Sequence, residues 1–198
     1  MNDASIENGA TGGAALLIID MINDLDFPGA EGLIAEIEPV ADVILKLRDE
    51  ADRRGAPVVY VNDNFGQWHS ERSRLVDHCR RAGTAGARMV ERLAPREDDY
   101  FVIKPQLSGF YATNLPVLLP KLGADRVILT GVAADICILF TAADAHMREY
   151  DLWIPGDATA ANSRQRKAWA LDIMQQAFGA ETRPTDELAL ADWLAAGR

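Results

Sequence analysis

Cysteine is scarce, with only Cys79 and Cys137 in 198 residues. Two thiols build no disulfide framework and by themselves complete no zinc site. Positive charge is also short, 20 Lys and Arg against 30 Asp and Glu, for a net charge of −10. A field of that sign repels phosphate backbones and anionic lipid, so nucleic acid and membrane are excluded as partners. A small anionic substrate is not excluded, because a pocket carries its own local sign. Long apolar runs are missing, since Ala14 to Ile19 is far too short to span a bilayer. The polar N-terminus, Met1 to Gly13, has neither a basic start nor an apolar stretch and does not read as a signal peptide. No glycine-rich phosphate loop follows the first apolar run, where Asp20-Met21-Ile22-Asn23 stands instead. A nucleotide-binding module is disfavoured. The composition fits a reduced, cytoplasmic, single-domain protein, with residues 1–13 as a mobile lead-in and 14–198 as the domain.

What is present is an alternation of apolar runs and helical periodicities. Strands are predicted at Ala15–Ile19, Pro57–Val61, Tyr100–Ile103, Arg126–Thr130 and Leu152–Ile154, with Gly131 breaking the fourth. A weak sixth is read around Ala180–Arg183. Helices are predicted over Glu36–Arg54, Thr113–Leu122, Ala134–Tyr150, Ser163–Phe178 and Asp186–Ala195. Gly55, Gly123 and Gly179 close three of them, and Ser163 caps one. Phe65 to Arg96 reads as a long functional loop with short helices. The expected fold is α/β: one domain, three layers α/β/α, Rossmann-like, with a six-stranded, mainly parallel sheet and helices on both faces. In such sheets ligands gather at the carboxyl ends of strands.

Three of those ends carry chemistry. Asp20 follows a buried run, an expensive place for a carboxylate unless it is paired, functional or capping a turn. Lys104 ends the third strand ahead of Pro105, either as an electrostatic partner or as a solvated lysine. Cys137 stands six residues after Gly131, where a strand turns into a helix. Free N–H groups and the dipole there favour thiolate, and the alternative is a plain buried cysteine. An acid, a cation and a thiol on strand ends set side by side form a generalised nucleophilic triad.

These segments, Ala15-Leu16-Leu17-Ile18-Ile19-Asp20-Met21, Val61-Asn62-Asp63, Ile103-Lys104-Pro105 and above all Gly131-Val132-Ala133-Ala134-Asp135-Ile136-Cys137, resemble the isochorismatase-like cysteine hydrolases. That superfamily includes nicotinamidases, N-carbamoylsarcosine amidases and isochorismatases. The likeness runs from about Ala14 to Phe178. It implies Asp20 as general base and acid, Lys104 as electrostatic partner and Cys137 as nucleophile. It implies a cis peptide between Val132 and Ala133, with the Ala133 and Cys137 N–H groups as oxyanion hole. The implied reaction is metal-independent cleavage of a C–N bond in a small amide, ureide or carbamoyl compound through a Cys thioester. The alternative is vinyl-ether hydrolysis releasing pyruvate. No cofactor is implied, and assembly as a homodimer or homotetramer is.

The family's nicotinamidases hold a metal through an Asp-x-His pair after strand 2, but Asp63-Asn64-Phe65 stands here, so no metal is expected. His69 and His78 lack close metal spacing, and His146 reads as a helix-face residue. Expected substrate contacts are Phe65, Trp68, Asn62, Tyr111 and Val132. Phe65, Trp68, Phe110 and Tyr111 sit in loops over the site, either as pocket walls or as packing and oligomer contacts. Asn62 and Asp63 either line the pocket or cap the turn. Asp24 reads as a turn or supporting residue, and Ser108 as a polar contact or a loop residue. Arg72, Arg74, Arg80 and Arg81 form either a solvated face or a recognition patch for an anion. Cys79 is given no role.

Overall fold

The structure, a computed structural model, describes residues 13–66, 71–81 and 83–196. Residues 1–12, most of the predicted lead-in, lie outside them. Five strands form a parallel sheet: β1 (Ala14–Ile19), β2 (Val58–Asp63), β3 (Tyr100–Lys104), β4 (Arg126–Val132) and β5 (Asp151–Trp153), in the order β3-β2-β1-β4-β5. A sixth, β6 (Thr159–Ala160), pairs with the end of β4. The chain order reverses beside β1, where β2 lies on one side and β4 on the other.

Strand alternation sorts the core into two layers. Leu16, Ile18 and Tyr60 face the cluster filled by α1 (Glu31–Arg54), α2 (Arg72–Cys79), α3 (Ala87–Arg92) and α7 (Leu190–Ala195). Ala15, Leu17, Ile19, Val59 and Val61 face the cluster of α4 (Leu115–Lys121), α5 (Leu139–His146) and α6 (Arg164–Phe178). The strands read as continuous apolar runs because both faces are covered. Helix ends follow local chemistry: the Ser163 side chain accepts from Arg166 N–H at 3.2 Å, and Gly179 closes α6 at φ 65°.

Several expectations are corrected. The sixth strand is not Ala180–Arg183, where Glu181 makes only an isolated bridge to Trp153. Gly131 does not break β4. The strand runs through it at φ 110°, and a side chain there would place its Cβ 2.0 Å from the Ile19 carbonyl oxygen, so glycine is what lets β1 lie so close. The helix expected over Ala134–Tyr150 is a π-helical turn, Ala134–Ile138, followed by α5. Helix α1 begins at Glu31, not Glu36, and carries Pro39 inside it, because Leu33 and Ile37 already belong to the buried face. Helix α7 begins at Leu190 rather than Asp186. The Phe65–Arg96 segment holds α2 and α3, tied to α1 by Arg92 on Glu38 and Asp42 and by Arg96 on Asp49 and Asp52. Among the described residues no helix is long and apolar enough to cross a membrane.

Candidate active site

The sheet order brings the three expected residues together, though not on neighbouring strands. β2 lies between β1 and β3, so Lys104 reaches past the end of β2 to meet Asp20. Its Nζ sits 3.0 Å from Asp20 Oδ2 and 3.4 Å from Cys137 Sγ. It also donates to the Gln106 carbonyl at 3.2 Å and lies 3.5 Å from Asp63 Oδ2. The Cys137 thiol is hydrogen-bonded to the Asp20 carboxylate. Lys104 is fully buried, which overturns its reading as a solvated lysine. A buried ammonium of this kind needs its acceptors, and it has four within reach.

Asp20 takes a left-handed backbone, φ 53°, at the point where β1 ends. Its N–H donates to the Val61 carbonyl at 3.0 Å, and its Oδ1 accepts from Asp63 N–H at 2.7 Å. The loop that follows is pinned from below by Asn62. That side chain accepts from Ile22 N–H at 3.0 Å and donates to the Ile22 carbonyl at 3.0 Å and the Asp63 carbonyl at 3.2 Å. Asn62 is fully buried and its amide is spent on backbone, so it holds the loop rather than facing a ligand. Farther along, Gly86 N–H donates to the Asp24 carbonyl at 2.9 Å, and His78 Nε2 lies 3.1 Å from Asp24 Oδ2. Asp24 is thus the supporting residue of this loop.

Burial raises the Asp20 pKa against the pull of Lys104, Cys137 and the Asp63 amide. Burial also works against the Lys104 charge, but Asp20, Cys137 and Asp63 outweigh it and hold that pKa above the ordinary lysine value. The Cys137 thiol is pushed up to about 12 by burial and then by the Asp20 charge, with Lys104 opposing. The expectation of a thiolate-favouring helix N-terminus is corrected here. Cys137 sits in a π-helical turn, and desolvation of the charged form is the largest cause of the rise, with Lys104 opposing it.

The Val132–Ala133 peptide is cis. Both Ile136 and Ile138 donate to the Ala133 carbonyl, at 3.0 and 3.1 Å, which shapes the turn carrying the Ala133 and Cys137 amides. Val132 is buried and pairs with Ala160 of β6. Asp135, in the same turn, forms an ion pair with Arg166 of α6.

The aromatic expectations divide. Phe65, φ 50°, is half-buried and packs on the apolar cluster below α2 and α3. Phe110 is buried against Tyr150 at 5.9 Å between ring centroids, with Arg148 over its face, so it is core rather than wall. Tyr111 is exposed and lines a cavity of about 310 Å³ with Gln106, Leu107, Ser108, Phe140 and Asp144. Ser108 binds Asp144 and accepts from Phe110 N–H at 3.1 Å, a network that fixes this loop and that the sequence did not signal. Trp68 and His69 lie outside the described residues. Arg72 donates to the Pro95 and Arg96 carbonyls at 2.9 and 2.7 Å, fastening a loop, while Arg74, Arg80 and Arg81 are exposed. His146 stacks on Phe178 at 5.4 Å, on the flank of α5.

Among the described residues, which leave out His69, the side chains do not fit a nicotinamidase-type metal. Asp63 Oδ1 is occupied by Phe65 N–H at 2.6 Å, the residue two positions on is phenylalanine, and His78 is committed to Asp24. Among the described residues no three His, Cys, Asp or Glu side chains converge as a metal set.

Residues 14–186 match the isochorismatase domain model. The chain is 38% identical over 174 residues to the uncharacterized isochorismatase family protein YaaI of Bacillus subtilis (strain 168), covering 88% of this chain and 95% of that one. It superposes on an isochorismatase family protein from Desulfovibrio vulgaris with TM-score 0.73 and 30% identity, covering 93% of this chain and 100% of the other. N-carbamoylsarcosine amidase from Thermoplasma acidophilum aligns with TM-score 0.67 and 31% identity, covering 89% and 98%. The chain is therefore a member of the isochorismatase family of hydrolases.

Proposed function

We propose that this protein is a metal-independent cysteine hydrolase that cleaves the C–N bond of a small amide, ureide or carbamoyl compound. The observation that carries the reading is the single buried ammonium of Lys104, in contact with both Asp20 at 3.0 Å and Cys137 Sγ at 3.4 Å, while Asp20 accepts the thiol hydrogen bond. Asp20 takes the Sγ proton as the sulfur attacks the carbonyl carbon, and the C=O electron pair moves onto oxygen. Burial pushes the thiol pKa up, and the hydrogen bond to Asp20 gives the proton its acceptor as the sulfur attacks. The oxyanion is received by the Ala133 and Cys137 N–H groups, and Lys104 offsets the negative charge. Asp20 returns the proton to the leaving nitrogen, the C–N bond breaks, and ammonia or an amine departs. A water that gives its proton to Asp20 then attacks the thioester. The C–S bond breaks and the sulfur recovers its proton. A general acid–base step of this kind is worth about 10²–10⁴-fold.

The similarity to N-carbamoylsarcosine amidase supports the amide class. Exposed apolar side chains on α5, just after it and on α6, Phe140, Met147, Trp169 and Ile173, support assembly as a homodimer or homotetramer, which sedimentation velocity reads directly. The reaction is tested by ammonia release over a panel of amides, ureides and carbamoyl compounds, with wild type, Cys137→Ala and an added chelator. Activity that survives the chelator and vanishes in Cys137→Ala is expected. Loss on chelation overturns metal independence. Pyruvate release from a vinyl ether without ammonia from any amide overturns the C–N reading.

A further inference from the structure

We infer that Asp63 determines specificity at this site. Its carboxylate accepts a hydrogen bond from an N–H on the part of the substrate that stays with the Cys137 sulfur, and it turns away substrates that carry a carboxylate there. This rests on the amide-cleaving reading above.

Three charged side chains make up the cluster, and they are not equivalent. The Lys104 side chain is 0% exposed and that of Asp20 is 7%, whereas Asp63 is 36% exposed. The first two are shut in with the sulfur, and Asp63 faces the side from which a substrate arrives. Its place follows from the sheet: β2 lies between β1 and β3, so its last residue stands between Asp20 and Lys104.

Asp63 is also held ready. Its N–H is bound to Asp20 Oδ1 at 2.7 Å, its carbonyl accepts from Asn62 at 3.2 Å, and its Oδ1 accepts from Phe65 N–H at 2.6 Å. Backbone and carboxylate plane are fixed, and Oδ2 is the oxygen left to give. That oxygen has one weak claim on it. The ammonium of Lys104 has three hydrogens for four acceptors, at 3.0 Å (Asp20), 3.2 Å (Gln106 carbonyl), 3.4 Å (Cys137) and 3.5 Å (Asp63). The Asp63 contact is the longest and is exchanged for a substrate N–H at the least cost.

Cys137 Sγ and Asp63 Oδ2 both touch the Lys104 nitrogen, at 3.4 and 3.5 Å, so the inference places the atoms next to the carbonyl on the sulfur beside the Asp63 carboxylate. A urea-type group meets that description, and an alkyl amide lacks the N–H. An acid with a carboxylate at that position meets two aspartates against one lysine and is repelled.

The test uses uncharged n-alkylureas, each paired with the amide in which CH2 replaces the retained N–H, such as propylurea and pentanamide, and also 3-ureidopropanoate. Wild type and Asp63→Asn are compared by ammonia release. Asparagine keeps the shape and an oxygen for Phe65 N–H but removes the charge. The ratio of kcat/KM for urea over amide, in which intrinsic reactivity cancels between the two enzymes, is expected to fall about 10- to 100-fold in Asp63→Asn. The loss is expected mainly in KM for the urea and is expected to exceed any change in pentanamide turnover, with 3-ureidopropanoate improved relative to propylurea. An unchanged ratio, or an equal loss on both compounds, overturns the inference and leaves the amide reading standing. Ammonia from the amides but never from the ureas does the same. Ammonia from neither series overturns the amide reading and the inference with it.

Discussion

Cys79 and Cys137 are two thiols pushed up to about 12, and burial is the first cause for each. Cys79 ends α2 within the apolar cluster under α1, fully out of solvent, where the Asp24 charge raises its pKa further. Cys137 stands in the π-helical turn after β4, half-buried, with Asp20 and Lys104 in contact. By pKa alone the two cannot be told apart. What separates them is the Asp20 carboxylate bonded to one sulfur and the Lys104 ammonium in contact with it, and the proposed reactivity rests on those neighbours. On the proposed reading the α2 side is structure and the strand-end side is chemistry.

The sharpest way to break that contrast is to remove each sulfur in turn. Cys137→Ala is expected to lower kcat/KM for ammonia release on the order of 10⁴-fold or more. Cys79→Ala is expected to stay within about 3-fold and to cost about 1 kcal/mol of stability, read by urea denaturation. Equal losses in both would erase the distinction. Next in size is Lys104→Met, expected to lower kcat by about 10²–10³-fold. It is also expected to destabilise the fold by about 3–5 kcal/mol, because Asp20 is left charged, buried and unpaired. The variant's melting temperature recovers as pH falls and Asp20 takes a proton.

Much of this was legible in the sequence. The strands announced themselves as apolar runs because both faces of the sheet are covered, and Asp20 and Lys104 followed as the polar residues that end them. The π-helical turn was not legible, since the hydrogen bond from Ile138 N–H to the Ala133 carbonyl leaves no periodic trace in five residues. Thr159-Ala160 pairs with β4 over two residues, too few to form a run, while Glu181 exchanges backbone bonds with Leu152 and Ile154 without forming a strand. The sequence does not separate Asn62 from Asp63, because both types cap turns as readily as they line pockets. The structure separates them by exposure, 0% for Asn62 against 36% for the Asp63 side chain. The rise in the Cys137 pKa depends on tertiary burial, which no local motif encodes.

Smaller effects sharpen the picture further. Asn62→Ala removes three hydrogen bonds that hold the Asp20 loop. It is expected to lower kcat about 10-fold with KM little changed. The acid limb of the kcat/KM profile is expected above the ordinary carboxylate value of 3.8, because the raised Asp20 pKa means the base is lost earlier as pH falls. The smallest effect is alkaline. Thiols held at about 12 in the fold titrate near 9 when unfolded, so the unfolded chain loses protons first and stability falls as pH rises from about 9 towards 12. Cys79→Ala is expected to flatten that fall, which pH-dependent melting checks.

The central claim is that the Cys137 sulfur carries the acyl group during turnover. Acid-quenching the enzyme within a turnover of an amide it hydrolyses, followed by peptide mass spectrometry, tests this directly. An adduct with the mass of the acyl group is expected on the Cys137 peptide, with the Cys79 peptide unmodified. Turnover with no adduct on Cys137, and with Cys137→Ala still releasing ammonia, would contradict it.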